Sequence, residues 1–249
     1  MLSEIKILYH NGKQYIPDVT KVEVPGIFRG RPVISREQVD TLKLVSVCPT
    51  NAILPDPVRI DLGLCVFCGE CALAFPEKVK FTKDYKLSSN KRENLIIKEG
   101  DDKPIEMDEA SVRKEIRKLF RNSLKLRQVS AGGDNSCEWE LNASGNVQFD
   151  IGRFGIEFVA SPRHADGVVI TGPISENMAT ALDICYEATP DPKVVILVGA
   201  DAISGGVFSE SEAISRNFLE KYKVDLYVPG NPTHPLTFIN GILSLLGRA

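Results

Sequence analysis

The second half of the chain alternates apolar runs of strand length with longer segments of helical periodicity. The apolar runs are rich in Val and Ile and contain few polar positions, which is typical of strands buried on both faces of a sheet. This alternation predicts a parallel sheet with helices on both sides, and therefore an α/β fold. The predicted strands are residues 156–160, 167–171, 193–198 and 224–228, and the predicted helices are residues 175–187, 209–222 and 235–246.

The first part of the chain has shorter, more interrupted patterns, which indicate a small α+β domain. Prolines interrupt residues 1–34, so we expect irregular structure there, with a short strand at the weakly alternating residues 5–9. The pattern further predicts a short helix within residues 36–47, a turn at 49–51, strands at 52–60 and 79–82, and a helix that begins at Cys71 and ends before Pro76.

Residues 84–107 are mostly polar, as is typical of a domain boundary. Asp108 is a suitable N-cap for the helix that we expect next. One face of that helix is apolar and the other is basic, and the basic face either is solvated or contacts an acidic partner. The apolar face has Val112, Ile116, Leu119 and Phe120, and the basic face has Arg113, Lys114, Arg117, Lys118 and Arg121.

The composition, 43% hydrophobic and 25% charged, is that of an ordinary globular protein. The 30 basic and 33 acidic residues give a net charge of −3, which provides no general attraction to nucleic acid. No apolar run has the length of a membrane span, and the first residues lack the features of a signal peptide. We therefore expect a cytoplasmic protein that binds no nucleic acid and reaches a membrane only through partners.

Cys65, Cys68 and Cys71 have the spacing C-x₂-C-x₂-C, which lets three thiols face one metal centre. Cys48 precedes a proline, like the last cysteine of the bacterial ferredoxin run C-x₂-C-x₂-C-x₃-C-P, which binds the other cluster in two-cluster ferredoxins. We therefore predict one [4Fe–4S] cluster, the chain's cofactor, bound by Cys48, Cys65, Cys68 and Cys71. The alternatives are a zinc site, which would favour two C-x₂₋₄-C pairs, and a chance grouping of core thiols.

The same spacing places a second ferredoxin cluster site at Gln38, Thr41, Leu44 and Phe75. All four ligand positions of this site are replaced, whereas all four of the other site are kept. This separation predicts a two-cluster ferredoxin fold that retains one cluster, with Leu44 and Phe75 filling the vacated space.

Three glycine-containing loops follow predicted strands, at Thr171-Gly-Pro, Val198-Gly-Ala-Asp and Val228-Pro-Gly-Asn. In open parallel sheets, ligand sites lie at the carboxyl ends of the strands. None of these loops has a phosphate-binding G-x-G-x-x-G or G-x₄-G-K-[ST] motif, so nucleotide binding is not predicted.

These loops lie among ordered motifs between about Ser123 and Leu246: Asp150-Ile-Gly-Arg-Phe-Gly-Ile, Ala160-Ser-Pro-Arg-His-Ala-Asp, Val169-Ile-Thr-Gly-Pro-Ile-Ser-Glu-Asn-Met and Val224-Asp-Leu-Tyr-Val-Pro-Gly. By these motifs the chain resembles a known family: the small, cluster-carrying subunit of Complex I and of membrane-bound [NiFe] hydrogenases, including formate hydrogenlyase. Residues 26–98 contain Gly26-Ile-Phe-Arg-Gly-Arg-Pro and Ile60-Asp-Leu-Gly-Leu-Cys, by which they resemble the ferredoxin subunit of the same hydrogenases.

The resemblance implies a fusion of a ferredoxin-like α+β domain, residues 1–98, with a flavodoxin-like, parallel-sheet small-subunit domain, residues 99–249. It implies a hydrogenase-like or Complex I-like large subunit and other subunits of that complex as partners, at the cytoplasmic face of a membrane. Arg153, Arg163 and His164 would lie near the large subunit. Their structural alternatives are arginine pairs with Asp150 and Asp166, and a hydrogen-bonded buried His164.

The resembling family binds a cluster through Cys-Asn-x-Cys-Glu, Gly-x-Cys-Ala and Pro-Gly-Cys-Pro, and this chain departs from that pattern. Asp134, Asp201 and Asn231 replace three ligands, and Cys137 is retained. Iron in clusters prefers thiolates, so we expect no cluster here. Asp134, Cys137 and Asp201 either bind a harder cation or a proton-transfer water, or simply fill the cavity and hydrogen-bond loop amides. Cys185 is expected to be a small core residue.

Three functions follow from these patterns. The first is an electron-transfer subunit of a membrane-associated hydrogenase-like or Complex I-like oxidoreductase, with one [4Fe–4S] cluster and no catalytic centre of its own. The second is a non-redox docking module whose cluster is structural or senses redox state. The third is a stand-alone enzyme with a pocket at Asp134, Cys137 and Asp201, which no nucleophile–base pair supports.

Overall fold

The computed structural model describes residues 2–12 and 14–248 of the chain. Its helices are α1 (Leu2–Asn11), α2 (Thr41–Ser46), α3 (Glu70–Ala74), α4 (Lys114–Phe120), α5 (Ser136–Ala143), α6 (Glu176–Ala188), α7 (Ala200–Ser204), α8 (Asn217–Lys221) and α9 (Pro235–Leu245). Its strands are β1 (Pro32–Ile34), β2 (Ile53–Leu54), β3 (Arg59–Asp61), β4 (Val79–Phe81), β5 (Ile96–Lys98), β6 (Leu124–Ser130), β7 (Ile156–Phe158), β8 (Gly167–Thr171), β9 (Val194–Val198) and β10 (Leu226–Val228).

Five parallel strands form the sheet of the second half, in the order β7-β6-β8-β9-β10. Counted within this half, the order is 2-1-3-4-5, which is that of flavodoxin-like folds. Every residue of β8 and β9 is buried, because helices cover both faces of a parallel sheet. The predicted α/β class and the flavodoxin-like parallel sheet are therefore confirmed.

The sequence pattern does not predict β6, although this strand lies between β7 and β8 in the sheet. Leu124 and Leu126 of β6 are fully buried, but Lys125 and Arg127 alternate with them. The polar residues break the apolar run by which the other strands are recognised.

Two small antiparallel sheets build the N-terminal half: β1 pairs with β4, and β3 lies between β2 and β5. Residues 52–60, predicted as one strand, form two strands because Pro55 and Pro57 fall in the turn between them. The strand predicted at residues 5–9 is wrong. These residues belong to the exposed helix α1, whose Leu, Glu and Lys residues favour helix.

Two predicted helices are shorter than expected. Asp108 caps only a 3₁₀ turn, Glu109–Ser111, by accepting a hydrogen bond from the Ala110 amide, and α4 begins at Lys114. Leu119 of the predicted apolar face is exposed. In residues 209–222 only α8 is α-helical, because Ile214 pairs with Ser175 and holds the preceding segment in turns. On the predicted basic face, Arg113 pairs with Asp225 and Arg117 pairs with Glu109.

The N-terminal segment and the polar linker pack against the parallel-sheet half. Val19 and Tyr85 belong to the same buried apolar cluster as α9, and the Tyr85 hydroxyl donates to the Val19 carbonyl over 3.0 Å. Ser89 forms an antiparallel bridge with Tyr227 of the edge strand β10. The division of the chain into residues 1–98 and 99–249 stays a prediction.

Candidate functional site

Cys48 follows α2, which directs it toward the cysteine triplet. Asp40 caps this helix by accepting a hydrogen bond from the Lys43 amide over 3.1 Å, and the fully buried Leu44 fixes the helix to the core. After the helix, the Cys48 sulfur accepts a hydrogen bond from the Ala52 amide over 3.2 Å. The helix predicted to precede Cys48 is confirmed.

The triplet lies in the loop between β3 and α3. The Cys65 amide donates to the Asp61 carbonyl over 2.9 Å, and the Cys65 sulfur accepts from the Phe67 amide over 3.4 Å. Phe67 and Gly69 have φ values of 53° and 87°, so the loop curls tightly before α3 begins. Cys71 lies in the first turn of α3, which is the short helix that the sequence predicts to end before Pro76.

The four predicted ligands, hereafter the cysteine site, line one cavity. Cys65 and Cys71 are buried, Cys48 is half-buried and Cys68 is exposed. Four thiols around an apolar cavity, two of them accepting amide hydrogen bonds, have the chemistry that [4Fe–4S] clusters require of their ligands. The lining includes Cys48, Cys65, Cys68 and Cys71 together with Ala52, Ile53, Ile60 and Phe81.

A cubane cluster needs an open arrangement of sulfurs, because each thiolate binds a different iron atom. Within residues 2–12 and 14–248, no three His, Cys, Asp or Glu side chains are grouped so that they could hold a single metal ion. The observation that favours a cluster over a single metal ion is therefore the convergence of the four thiols on one cavity.

Burial raises the pKa of Cys65 to about 12 and the pKa of Cys71 to about 11, and repulsion from neighbouring cysteines contributes to both shifts. Without metal, these thiols therefore hold their protons at neutral pH. Binding of iron must displace the protons, since a thiolate is the ligand.

Two of the replaced ferredoxin positions lie in the core beside the cysteine site. Leu44 is fully buried, and Leu44 and the half-buried Phe75 belong to the apolar cluster that includes Cys65 and Cys71. Apolar side chains therefore occupy the space next to the retained cysteines.

A second group of side chains meets at the carboxyl end of the parallel sheet. Asn231, which follows β10, donates through Nδ2 to Asp201 Oδ1 over 3.4 Å. Its Oδ1 accepts from the Ser136 hydroxyl over 3.4 Å and from the Cys137 sulfur over 3.8 Å. We call Ser136, Cys137, Asp201 and Asn231 the Asn231 network. Asp134 lies beside it and accepts a hydrogen bond from the Ser136 amide over 2.9 Å.

The sheet topology explains why these residues meet. Cys137 lies in α5 after β6, Asp201 in α7 after β9, and Asn231 in the loop after β10, all at the same end of parallel strands. Cys137 and Asp201 are buried. Burial raises the pKa of Cys137 to about 11, and burial together with the charge of Asp134 raises the pKa of Asp201.

Glu138 supports this end of the sheet, and the sequence analysis assigns it no role. Its Oε1 accepts hydrogen bonds from the Ser130 hydroxyl over 2.6 Å and from the Thr171 hydroxyl over 2.7 Å. It therefore joins α5 to the ends of β6 and β8. The feature of the sequence that could have indicated this role is the position of Glu138 directly after Cys137 in the Cys-Asn-x-Cys-Glu motif.

The cysteine site and the Asn231 network are neighbours. A Cβ atom on Gly63, two residues before Cys65, would lie 2.8 Å from Ile203 Cγ2, two residues after Asp201. Phe67 of the cysteine loop and Gly230, next to Asn231, line a shared cavity of about 60 Å³. The loop that carries the cysteines therefore packs directly on the loops that carry the network.

The sequence pattern does not predict three contacts near the cysteine site. The Arg29 guanidinium donates to the Phe67 carbonyl over 3.3 Å. Asp61 accepts from the Gly63 amide over 2.8 Å and pairs with Arg92 over 2.6 Å. All three side chains occur in segments recognised by resemblance, but the Arg29–Phe67 and Asp61–Arg92 contacts join residues that are distant in sequence.

The structure places the remaining candidate residues, Arg153, Arg163, His164 and Cys185, in different surroundings. His164 is exposed, as is Arg163, because both lie on a 3₁₀ turn at the surface, so the alternative of a buried His164 is wrong. Arg153 donates to the Ile16 carbonyl over 2.5 Å and lies over the Tyr15 ring. In place of an arginine pair, Asp166 accepts a hydrogen bond from the Lys125 amide over 2.7 Å. Cys185 is half-buried and packs against the apolar core.

Comparison with known proteins identifies the relatives of the chain. The family model described as "NADH ubiquinone oxidoreductase, 20 Kd subunit" matches residues 135–245, from α5 to α9. A probable membrane-bound hydrogenase subunit mbhJ from Pyrococcus furiosus is 38% identical over 131 residues, which cover 53% of this chain and 78% of the relative. No helix within residues 2–12 and 14–248 has the length and apolar character of a membrane span.

Two further relatives come from bacterial complexes. Formate hydrogenlyase subunit 7 from Escherichia coli is 36% identical over 146 residues, covering 58% of this chain and 57% of the relative. An NADH-quinone oxidoreductase subunit from Geotalea daltonii is 42% identical over 109 residues, covering 44% of this chain and 64% of the relative. The chain thus spans less than two thirds of these two proteins, and more than two thirds of the Pyrococcus protein. On the strength of these matches, the chain belongs to the family of NADH ubiquinone oxidoreductase 20 kDa subunits.

Proposed function

We propose that the chain is an electron-transfer subunit of a membrane-associated, hydrogenase-like or Complex I-like oxidoreductase. It binds one [4Fe–4S] cluster through Cys48, Cys65, Cys68 and Cys71 and has no catalytic centre of its own. Residues 1–98 form a ferredoxin-like domain joined to a small-subunit domain, residues 99–249. The observation that carries the proposal is the convergence of these four cysteines on one cavity, with amide hydrogen bonds to two of the sulfurs.

The residues around the cysteine site are suited to hold a one-electron centre. When bound, a [4Fe–4S] cluster accepts and releases single electrons. Ile53, Ile60 and Phe81 exclude water from the cavity, while the Ala52 and Phe67 amides direct positive dipoles at the sulfurs. Arg29 places a cation beside the Phe67 carbonyl. Hydrogen bonds to the sulfurs and limited solvent exposure are the features by which a protein sets a cluster's potential.

The relatives support the assignment to a complex. Their printed names describe subunits of a membrane-bound hydrogenase, of formate hydrogenlyase and of an NADH-quinone oxidoreductase. We propose by analogy that this chain binds a large subunit and other subunits of such a complex at the cytoplasmic face of a membrane. It would then reach the membrane through those partners.

The proposal is tested by purifying the chain anaerobically and measuring iron, sulfide and zinc per protein. We expect about four iron atoms, with a reversible EPR signal at a low, ferredoxin-like potential. The Cys71→Ser variant should lose this signal, whereas Cys185→Ser, at a half-buried cysteine outside the cysteine site, should keep it. Stoichiometric zinc with no iron in the wild type would reject the cluster.

A second candidate function is a docking module with a structural or redox-sensing cluster. The Asn231 network favours it, because side chains bond directly to one another where the resembling family has a further cluster. The redox titration separates the two functions: a cluster that is present but not reducible at physiological potentials would favour the docking module. Co-purification with a large subunit would be expected for both.

A further inference from the structure

The small subunit that the chain resembles holds a [4Fe–4S] cluster at the positions that correspond to Asp134, Cys137, Asp201 and Asn231. We infer that these residues do not form a cluster site in this chain, and that the Asn231 network instead closes it as a metal-free link between α5, α7 and the loop before α9. This inference concerns a different site from the one that carries the proposed function.

The direct contacts within the network oppose a cluster. Four cluster ligands are held apart by the iron–sulfur core, since each binds its own iron atom. Here the Asn231 side chain touches both Cys137 and Asp201, so residues at three ligand positions are joined without an intervening group. The amide also matches its partners chemically: its oxygen accepts from the thiol, and its NH₂ group donates to the carboxyl.

Two glycines allow the network to pack against backbone. A Cβ on Gly199 would lie 2.6 Å from the Cys137 sulfur, and a Cβ on Gly206 would lie 1.8 Å from Asp201 Oδ1. The Cys137 sulfur is therefore in close contact with the loop before α7, and the Asp201 carboxyl is in close contact with the loop after α7. The space beside them is filled by main chain on one side and by Asn231 on the other.

The donor set also differs from that of a cluster. One thiol, two carboxyls and an amide are poor ligands for iron in a cluster, which prefers thiolates. Asp134 is already engaged by the Ser136 amide. Burial favours the protonated thiol of Cys137 and the protonated carboxyl of Asp201, whose pKa values are both raised. The other charged groups near Asp201 are Asp134 and Glu138, while Arg216 donates to the Ala202 and Ile203 carbonyls of α7.

The consequence for electron transfer is that the path within this chain ends at the cysteine site. A redox partner must exchange electrons with that site directly, and Cys68 is its exposed thiol. The small-subunit half would then contribute packing and partner contacts.

The test compares near-isosteric substitutions at the two sites by metal analysis of the anaerobically purified chain. Cys137→Ser and Asp201→Asn should each retain the wild-type iron content and EPR signal, whereas Cys71→Ser should lose both. Asp201→Asn keeps the acceptor for Asn231 Nδ2, so it reports on metal binding even if Cys137→Ser fails to fold.

Three results would overturn the inference: about eight iron atoms in the wild type, a second cluster signal, or loss of metal in Cys137→Ser or Asp201→Asn. A wild type without iron, zinc or other bound metal would reject the proposed function and leave the closed network supported. The iron content thus tests the proposed function and the closed Asn231 network separately.

Discussion

The cysteine site and the Asn231 network are two versions of one arrangement, in which residues from separate loops meet beside a sheet. The cysteine site brings together four thiols, and the Cys48 and Cys65 sulfurs accept hydrogen bonds from the Ala52 and Phe67 amides. The Asn231 network has one thiol, and its polar side chains bond to each other. The difference teaches that side chains at ligand positions can close a site by bonding to one another, provided that each of their polar groups finds a partner.

This comparison predicts opposite dependence on metal. Cys65 and Cys71 are buried, and as thiolates they would be repelled by the neighbouring cysteines, so metal binding should stabilise the small sheets around them. The Asn231 network needs no metal to satisfy its polar groups.

The largest expected effect is therefore that of removing the cluster. Cys71→Ser should lower the free energy of unfolding of the N-terminal half by several kcal/mol, since cluster binding is coupled to folding. Cys137→Ser should cost only about 1 kcal/mol, because serine can still donate to Asn231. Thermal unfolding followed by circular dichroism would measure both. A larger loss for Cys137→Ser would reverse the comparison.

A smaller effect is expected at Gly63, where the two regions meet. A Cβ here would lie 2.6 Å from Arg92 Nη2 and 2.8 Å from Ile203 Cγ2, so Gly63→Ala should destabilise the chain by about 1–3 kcal/mol. Gly26→Ala is the matched control, because a Cβ on Gly26 would meet nothing within 4 Å. Urea unfolding would compare them. Equal stability of the two variants would show that the loops do not press on each other.

Asn231→Ala tests the network itself. The substitution leaves the buried Asp201 carboxyl and Cys137 thiol without this partner, and we expect a loss of about 1–2 kcal/mol with unchanged iron content. Asn146→Ala, at an exposed position, should change stability by less than about 0.5 kcal/mol. A loss of iron in Asn231→Ala, but not in Asn146→Ala, would mean that Asn231 supports a metal site.

The same comparison shows what sequence reasoning could reach. β8 and β9 were predictable because burial on both faces leaves uninterrupted apolar runs. The cysteine ligands were predictable as candidates because their spacing is itself the signal. The weak points were elements with mixed patterns: β6 has charged residues between its buried leucines, and α1 has an alternation that resembles a strand.

The Asn231 network could be predicted only as a list of positions. That Asp201 and Asn231 lie near Cys137 follows from the strand order, but the central place of Asn231 depends on side-chain directions in three loops. The contact between Gly63 and Ile203 likewise joins segments that no local pattern connects. The exposure of His164 was not predictable either, because a segment rich in motif residues does not reveal that it forms a surface turn.

The smallest expected effect is a pH dependence that belongs to the network alone. Burial raises the pKa of Asp201, so the folded chain binds this proton more tightly than the unfolded chain does. Between the unfolded pKa, near 3.8, and the higher folded pKa, the folded state holds more protons, and this group's contribution to stability falls as pH rises.

Asp201→Asn removes the titration and keeps the hydrogen bond from Asn231. The variant should therefore gain stability relative to the wild type as pH rises above about 4, and should match it below that pH. Urea unfolding of both proteins at each pH measures the difference. A difference that is constant with pH would mean that folding does not raise the pKa of Asp201. A difference that grows toward low pH would mean that folding lowers this pKa, as metal binding to the carboxylate would.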